Sequence, residues 1–408
     1  MRFYRYSESG KGFWTADNLT YEHAENGVWT FSLPASLKLD VEAPPPAERE
    51  LTPSRRSTLA ARYRAAAAAV HGTVRFVGFA DHRPRPNVQV PELFVPLRLE
   101  TRDEEKASRT TKELVSRLLD KPAEGTSAAR VAVLGDPGSG KTTLCRFAAV
   151  VIAGETECEG LRVTDEILPL FLPFRDYVRV CRETNDRSLV EYLEEQARAQ
   201  LQVAVPEGFL EASLDDGRAV LLLDGLDEVG SPEDRVEMRG RVQAFCRLYP
   251  RTPVLVTSRF AGYEDAPLPR QGPEAFVHLG LASFDDDDLR RFVTSWYAVQ
   301  EANDPVARDR GAADLVAALE ADARVRELAR NPMLATLIAL VHRYEAHLPG
   351  ERAALYDICV KTGAFSGGGD GDPRGAASRR LRLFPSLAHG VPGGSRLGRG
   401  GESGKGSP

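Results

Sequence analysis

Residues 130–142 read RVAVLGDPGSGKT, an apolar run that passes into a glycine-rich loop and ends in lysine and threonine. From Gly135 to Thr142 the loop fits the pattern GxxxxGK[ST], and the helix-like sequence TLCRFAAVVIA follows it. A strand before this pattern and a helix after it are the context in which it forms a phosphate-binding loop. The glycines let backbone N–H groups face phosphate oxygens, and the helix N-terminus adds positive charge. The stretch therefore predicts a nucleotide site.

Each position of this loop is a candidate nucleotide contact. The expected binding residues are Gly135, Asp136, Pro137, Gly138, Ser139, Gly140, Lys141, Thr142 and Thr143. Lys141 is expected to reach the β- and γ-phosphates, and Thr142 to hold Mg²⁺. The alternative is a chance glycine-rich turn, which the flanking strand and helix make the weaker interpretation.

A second apolar run carries acids at its end. Residues 220–229 read VLLLDGLDEV, so that Asp224 closes a strand and Asp227 and Glu228 lie just beyond it. Ionised carboxylates next to a buried strand require a cation nearby. With the phosphate loop upstream, Asp224 is expected to hold Mg²⁺ rather than to serve as a turn residue, and Asp227 or Glu228 is expected to polarise the attacking water. The sequence does not decide between these two acids.

A third apolar run, PVLVTSR, ends in Arg259. In an open parallel sheet the strand ends at one edge surround the ligand crevice. Arg259 is therefore expected to sense or stabilise the γ-phosphate, although a lone arginine is more often a surface residue.

The order of apolar runs and helical patterns predicts the fold class. Four near-continuous apolar runs, at residues 130–135, 167–174, 219–224 and 253–258, alternate with helical patterns. Strands buried on both faces and alternating with helices indicate an α/β fold, a parallel sheet sandwiched by helices. From Asp285 onward the pattern is almost entirely helical, which predicts an α-helical subdomain. The start of the chain favours a short mixed region of a few strands or a poorly ordered arm.

Composition narrows the class of protein. The chain has 408 residues with a formal net charge of −6, which gives no global reason to expect nucleic acid. Its five cysteines are scattered without metal-ligand spacing, and no run is long enough for a membrane helix. These features favour a cytoplasmic protein without a membrane partner. The Gly- and Arg-rich residues 363–408 predict a disordered tail in preference to a nucleic-acid-binding arm.

The motifs VLGDPGSGKTTL, LLLDGLDEV and LVTSR together resemble those of the NACHT family of STAND signalling NTPases. The small residue at Gly225 and the acid pair after it are the family's mark. The resemblance extends from about residue 75 to 360 through PELFVPLRLE, ILPLFLPFRDY and LARNPMLATLIALVHRYEAHLP. It implies that Pro332 contacts the adenine base, whereas the residues alone indicate a helix-start proline after Asn331.

The resemblance also implies a domain order. The expected segments are an unassigned N-terminal region and Pro-rich linker (1–55), a helical and strand segment (56–128), the NACHT P-loop NTPase core (129–275), a helical subdomain (276–348), the start of a truncated winged-helix-like region (349–362) and the tail (363–408). We find no leucine-rich, TPR or WD repeat period, and the first fifty residues are short for the family's usual effector domains.

The expected function follows from the motifs and the family together. It is a slowly hydrolysing, Mg²⁺-dependent ATP switch that cycles between ATP and ADP, forms a homo-oligomer on activation and acts in bacterial innate, antiphage defence or signal transduction. The alternative is a nucleotide-binding module without turnover. A small-molecule phosphotransferase would need an acceptor pocket for which the sequence gives no support. The acid run at Asp285–Asp288 is expected to start an amphipathic packing helix rather than to bind metal.

Overall fold

The computed structural model describes residues 4–8, 11–15, 20–23, 29–32, 52–73, 88–101, 108–123, 125–163, 166–184 and 187–345. The predicted Pro-rich linker, the winged-helix-like start at 349–362 and the tail at 363–408 lie outside these residues. So does most of the strand-like sequence TVRFVGF. Among the described residues, no helix has the length and apolar character needed to span a membrane.

The chain divides into two units, Met1–Leu59 and Ala60–Pro408. The described part of the first unit contains two antiparallel hairpins. Their strands are β1 (Tyr4–Glu8), β2 (Lys11–Thr15), β3 (Thr20–His23) and β4 (Trp29–Ser32). β1 pairs with β2 and β3 pairs with β4. Helix α1 (Pro53–His71) follows, where the alanine-rich sequence predicts a helix.

The second unit contains a seven-stranded sheet. Its strands are β5 (Arg98–Thr101), β6 (Ser108–Thr110), β7 (Arg130–Leu134), β8 (Leu168–Pro173), β9 (Ala219–Asp224), β10 (Val254–Ser258) and β11 (Val277–Leu281). The spatial order is β6-β5-β11-β7-β10-β9-β8. The last five in this order pair in parallel, whereas β5 runs antiparallel to β11 and β6 antiparallel to β5. The predicted parallel sheet is confirmed, with an antiparallel edge that the sequence did not indicate.

Burial explains why these segments form strands. All five residues of β7 and of β10 are buried, and in β8 and β9 only the last residue is partly exposed. Runs of this kind have no polar face to offer to water, so helices must cover both sides. The sheet also draws β5, β6 and β11 from outside residues 129–275, the range predicted for the NTPase core.

Helices precede, connect and follow the strands. They are α2 (Val90–Leu93), α3 (Thr111–Leu119), α4 (Lys141–Ile152), α5 (Phe174–Thr184), α6 (Leu189–Ala199), α7 (Phe209–Asp215), α8 (Pro232–Leu248), α9 (Phe260–Tyr263), α10 (Asp286–Gln300), α11 (Pro305–Ala321), α12 (Ala323–Ala329) and α13 (Pro332–Glu345). α4 packs against β8, β9 and β10, and α10 to α13 form the predicted helical region.

Two local predictions differ from the structure. The Lys- and Glu-rich residues 103–120 predict one helix. Residues 103–107 lie outside the described residues, residues 108–110 form β6, and α3 begins at Thr111, where a capping box between Thr110 and Glu113 fixes its start. The strand-like sequence ELFVPLRLE forms a strand only from Arg98, since the short helix α2 occupies its first part.

The acid run before α10 starts a helix, as the sequence predicts. The Asp285 side chain accepts from the Asp288 N–H, and Asp288 accepts from the Asp285 N–H. Arg98 adds ion pairs of 3.2 Å to Asp285 and 3.1 Å to Asp288. The apolar face beyond it, including Leu289 and Trp296, is buried.

Candidate functional site

The phosphate loop connects the end of β7 to the start of α4. Gly138 and Gly140 have φ of +77° and +94°, a left-handed conformation that glycine adopts without strain. Lys141, the first residue of α4, donates from Nζ to the carbonyls of Gly135 (2.8 Å) and Asp136 (2.9 Å). Burial lowers the pKa of Lys141 from its ordinary value. The N–H groups of the first turn of α4 have no partners within the helix, so they are available to an anion.

Asp224 lies at the end of β9, which is separated from β7 in the sheet by β10. The Thr257 hydroxyl donates to Asp224 Oδ1 at 2.6 Å and accepts from the Gly225 N–H at 3.0 Å. The Thr142 side chain lies close enough to Asp224 to lower the pKa of that carboxyl group. Burial raises the pKa of Asp224, and Thr257 and Thr142 oppose that shift. A hydroxyl and a carboxylate, which are hard oxygen ligands suited to Mg²⁺, therefore meet at this edge of the sheet.

Asp227 is held by the next strand. Its Oδ1 accepts from the Arg259 N–H at 2.7 Å, and its Oδ2 pairs with Arg259 Nε at 3.0 Å. The Asp227 side chain is only 7% exposed, against 43% for Arg259. Gly262 also packs against Asp227, since a Cβ at that glycine would lie 2.5 Å from the Asp227 Cβ. Asp227 thus fixes the chain after β10, and Arg259 is bound to it.

Glu228 is placed differently from Asp227. It follows Gly225, whose φ is +78°, and a Cβ on that glycine would lie 3.2 Å from the Glu228 Cγ. Within the described chain, the Glu228 carboxylate makes no side-chain hydrogen bond, and it lines the site. Withdrawal from water raises the pKa of Glu228, and the nearby charges of Asp224 and Asp227 raise it further.

The start of α13 closes the loop from the other side. Asn331 donates from Nδ2 to the Pro137 carbonyl at 2.9 Å, and the Met333 N–H donates to the Gly138 carbonyl at 3.1 Å. Pro332 lies between them as the first residue of the helix, as the sequence predicts.

These elements enclose a pocket of about 470 Å³. One end is polar and contains Lys141, Thr142, Asp224 and Glu228. The remaining wall is mainly apolar and is formed by the α2 region, α10 and α13; its side chains are Val90, Leu93, Phe94, Val95, Leu97, Phe284, Phe292, Pro332, Met333 and Leu337. A lining that combines charged groups with apolar side chains suits a nucleotide, which combines charged phosphates with a flat ring system.

Most predicted site residues line this pocket. They are Pro137, Gly138, Gly140, Lys141, Thr142, Thr143, Asp224, Asp227, Glu228, Arg259 and Pro332. Gly135, Asp136 and Ser139 belong to the loop but do not line the cavity. Ser139 is 7% exposed, and its hydroxyl has no hydrogen-bond partner among the described residues.

Sequence reasoning missed two groups of residues. One is Thr257, a polar residue next to the end of a buried strand. Its hydroxyl bonds Asp224 on the neighbouring strand, and a polar residue at that place is the signal that could have identified it. The residues of the apolar wall cannot be recognised as site residues from the sequence, because apolar residues that line a pocket have the same spacing as residues of a core.

Comparison with known proteins gives a family match. Residues 129–300 match the model of the NACHT domain. Among curated proteins, none matches the chain.

Three solved structures show weak similarity. The Walker-type ATPase PABY2304 of Pyrococcus abyssi is 13% identical with a TM-score of 0.35, over 67% of this chain and 75% of that one. PCH-2 of C. elegans is 16% identical with a TM-score of 0.25, over 40% and 38%. Domain III of the replication initiation protein DnaA of Thermotoga maritima is 13% identical with a TM-score of 0.29, over 58% and 89%. Similarity at this level carries no functional information.

Proposed function

We propose that this protein, whose residues 129–300 match the model of the NACHT domain, binds ATP with Mg²⁺, hydrolyses it slowly and uses the cycle as a switch. The observation that carries this proposal is the pocket itself. Its lining combines the phosphate loop and the Asp224–Thr257 pair with an apolar wall to which α13 contributes.

The polar end suits a triphosphate. Lys141 supports it with a half-buried ammonium group next to the loop N–H groups, and a phosphate can replace its present bonds to loop carbonyls. Thr142 and Asp224 would hold Mg²⁺, which when bound neutralises charge on the β- and γ-phosphate oxygens. The Thr257 hydroxyl keeps Asp224 turned toward Thr142.

Of the two acids left open by the sequence, Glu228 is the better candidate to orient the attacking water. Asp227 is engaged by Arg259 through both of its oxygens. Glu228 has a raised pKa and faces the pocket without a hydrogen-bonding side chain among the described residues. A general base works best when its pKa approaches the working pH, so the raised pKa of Glu228 suits it to this role. Arg259 would stabilise charge on the γ-phosphate after leaving Asp227.

The apolar end would hold the base, with Pro332 against it. Preference for adenine over guanine rests on the family, since no base-reading motif is present. The signalling role, homo-oligomerisation on activation and a part in antiphage defence rest on the family in the same way. The alternative from another class is a module that holds ATP or ADP without turnover.

Two measurements on purified protein test the proposal, binding of Mg²⁺ATP and release of phosphate. Glu228→Gln keeps the size of the side chain and removes the base, so it should bind ATP like the wild type but release phosphate at least about 10-fold more slowly. Glu264→Gln is the matched control, because Glu264 is an exposed glutamate that does not line the pocket. Equal phosphate release by wild type and Glu228→Gln, with ATP bound to both, would establish the module without turnover. No binding of ATP by the wild type would refute the proposal.

A further inference from the structure

We propose that Asn331 is a positioning residue for the phosphate loop, which makes loop geometry, and hence nucleotide affinity, depend on the docking of α13. This inference rests on the proposed function and adds a residue that controls nucleotide affinity at the same site. The contacts that carry it are the bond from Asn331 Nδ2 to the Pro137 carbonyl and the bond from the Met333 N–H to the Gly138 carbonyl. We call these two bonds the clasp.

The clasp sets the orientation of a peptide that faces the nucleotide site. In a trans peptide the C=O and N–H groups point in opposite directions. Because Asn331 holds the Pro137 carbonyl toward α13, the Gly138 N–H is directed away from that helix. No hydrogen bond to the Gly138 N–H occurs within the described chain. It is thus a donor fixed in place before any phosphate arrives, and preorganised donors lower the entropic cost of binding.

The fit between loop and helix is close enough to require glycine. A Cβ on Gly138 would lie 2.8 Å from both Asn331 Oδ1 and Met333 Cβ. The φ of +77° at Gly138 disfavours any other residue as well. A phosphate loop by itself already requires small residues. Here the close packing of the loop against the start of α13 adds a second reason for glycine at this position.

Asn331 uses its two amide atoms for different tasks, and this makes the inference testable. Its Oδ1 accepts from the N–H groups of Met333 (3.1 Å) and Leu334 (3.3 Å), so it caps α13. Oδ1 lies against Gly138 without a hydrogen bond to it, and the hydrogen bond from this side chain to the loop comes from Nδ2. Asp and Ser cap helices about as well as Asn, but neither offers a donor at the Nδ2 position. Asn331→Asp and Asn331→Ser should therefore keep the helix and lose the bond to Pro137.

The coupling works in both directions. If docking of α13 raises nucleotide affinity, binding of nucleotide must strengthen docking by the same factor. α13 is anchored in the core through Ala335, Ile338 and Ala339. A bound phosphate would thus stabilise the position of a helix whose far end, near Glu345, lies about 20 Å away at 1.5 Å per residue.

The experiment measures Mg²⁺ATP affinity and amide hydrogen exchange of the loop in the full chain, for wild type, Asn331→Asp and Asn331→Ser. Both variants should bind ATP about 3- to 10-fold more weakly, the equivalent of one lost hydrogen bond. In the nucleotide-free protein, exchange in a peptide covering 135–141 should become faster, with exchange in α13 unchanged. Asp322→Asn is the control, since Asp322 caps α12 by the same type of bond and makes no hydrogen bond to the loop within the described chain.

The outcomes separate the inference from the function it rests on. Wild-type affinity in both folded variants would overturn the inference and leave ATP binding intact. A loss confined to Asn331→Asp would assign the effect to the added charge and would also overturn it. A wild type that takes up no ATP would refute the proposed function and the inference together.

Discussion

Thr257→Val tests whether the hydroxyl that bonds Asp224 contributes both to the stability of the fold and to the binding of Mg²⁺. Thr257 lies in β10 with no exposed surface. Valine has almost the same shape, so the change removes one hydroxyl from a buried strand and little else. Two bonds disappear with it, the one to Asp224 Oδ1 and the one from the Gly225 N–H.

The expected loss of stability follows from these two partners. A hydrogen bond to a charged group contributes about 1.5–3 kcal/mol, and leaving a buried N–H unpaired costs about 1–3 kcal/mol. Some of this is offset by the apolar methyl group that replaces the hydroxyl. We expect the free energy of unfolding to fall by about 3 kcal/mol. Asp224 also loses the bond that opposes the rise of its pKa, so its pKa should rise further.

Thr252→Val is a matched control at the opposite edge of the sheet. Thr252 is also buried, and its hydroxyl donates to the Leu214 carbonyl at 2.7 Å. That carbonyl accepts from the Gly217 N–H as well, so it stays paired in the variant. The control should lose only about 1 kcal/mol and should bind Mg²⁺ATP like the wild type.

Urea unfolding gives the two stabilities, and ATP titration at several Mg²⁺ concentrations gives the metal dependence. Thr257→Val should need more Mg²⁺ for half-maximal ATP binding, most clearly at acidic pH where Asp224 becomes protonated. Equal destabilisation by the two substitutions, or an unchanged Mg²⁺ dependence in Thr257→Val, would refute the role assigned to Thr257.

Two further predictions concern burial. His71 packs on Phe171 with ring centroids 4.6 Å apart, and burial lowers its pKa to about 4. Because His71 binds a proton below about pH 6.5 in the unfolded chain, the free energy of unfolding should fall by about 3 kcal/mol between pH 6.5 and pH 4. His71→Leu should show a shallower pH dependence when unfolding is measured across this range. Gly262→Ala places a Cβ 2.5 Å from the Asp227 Cβ and should destabilise the protein by about 1–3 kcal/mol. Gly240→Ala on α8 is its control, because a Cβ there meets nothing within 4 Å. This control should be neutral or stabilising in the same unfolding assay.

The sequence predicts the parallel sheet and the phosphate loop because both depend on local patterns. β7, β8, β9 and β10 are apolar at nearly every position, and a fully buried strand of a parallel sheet has that pattern. The loop is recognised from its spacing and its flanking elements. The same holds for α13, where Pro332 after Asn331 marks a helix start.

Other features depend on residues far apart in the chain and are not predictable in this way. β11 has a mixed pattern of buried and partly exposed residues, and its place in the sheet is set by β5 and β7 on either side. The pairing of Asp227 with Arg259 joins residues 32 positions apart. Because of that pairing, Glu228 rather than Asp227 becomes the candidate base, a choice that spacing alone leaves open.

The position of β11 has a consequence for how the protein is made. β11 comes last in sequence among the strands of the described residues, yet it lies between β5 and β7. A ribosome must therefore add the roughly 150 residues that follow β7, on the order of 10–30 s of synthesis, before this edge of β7 can be paired. A recombinant fragment that stops at residue 275 would leave β7 permanently unpaired on that side and β5 without its sheet. Since long apolar edge strands promote aggregation, such a fragment should be insoluble, and one that continues past Leu281 should not.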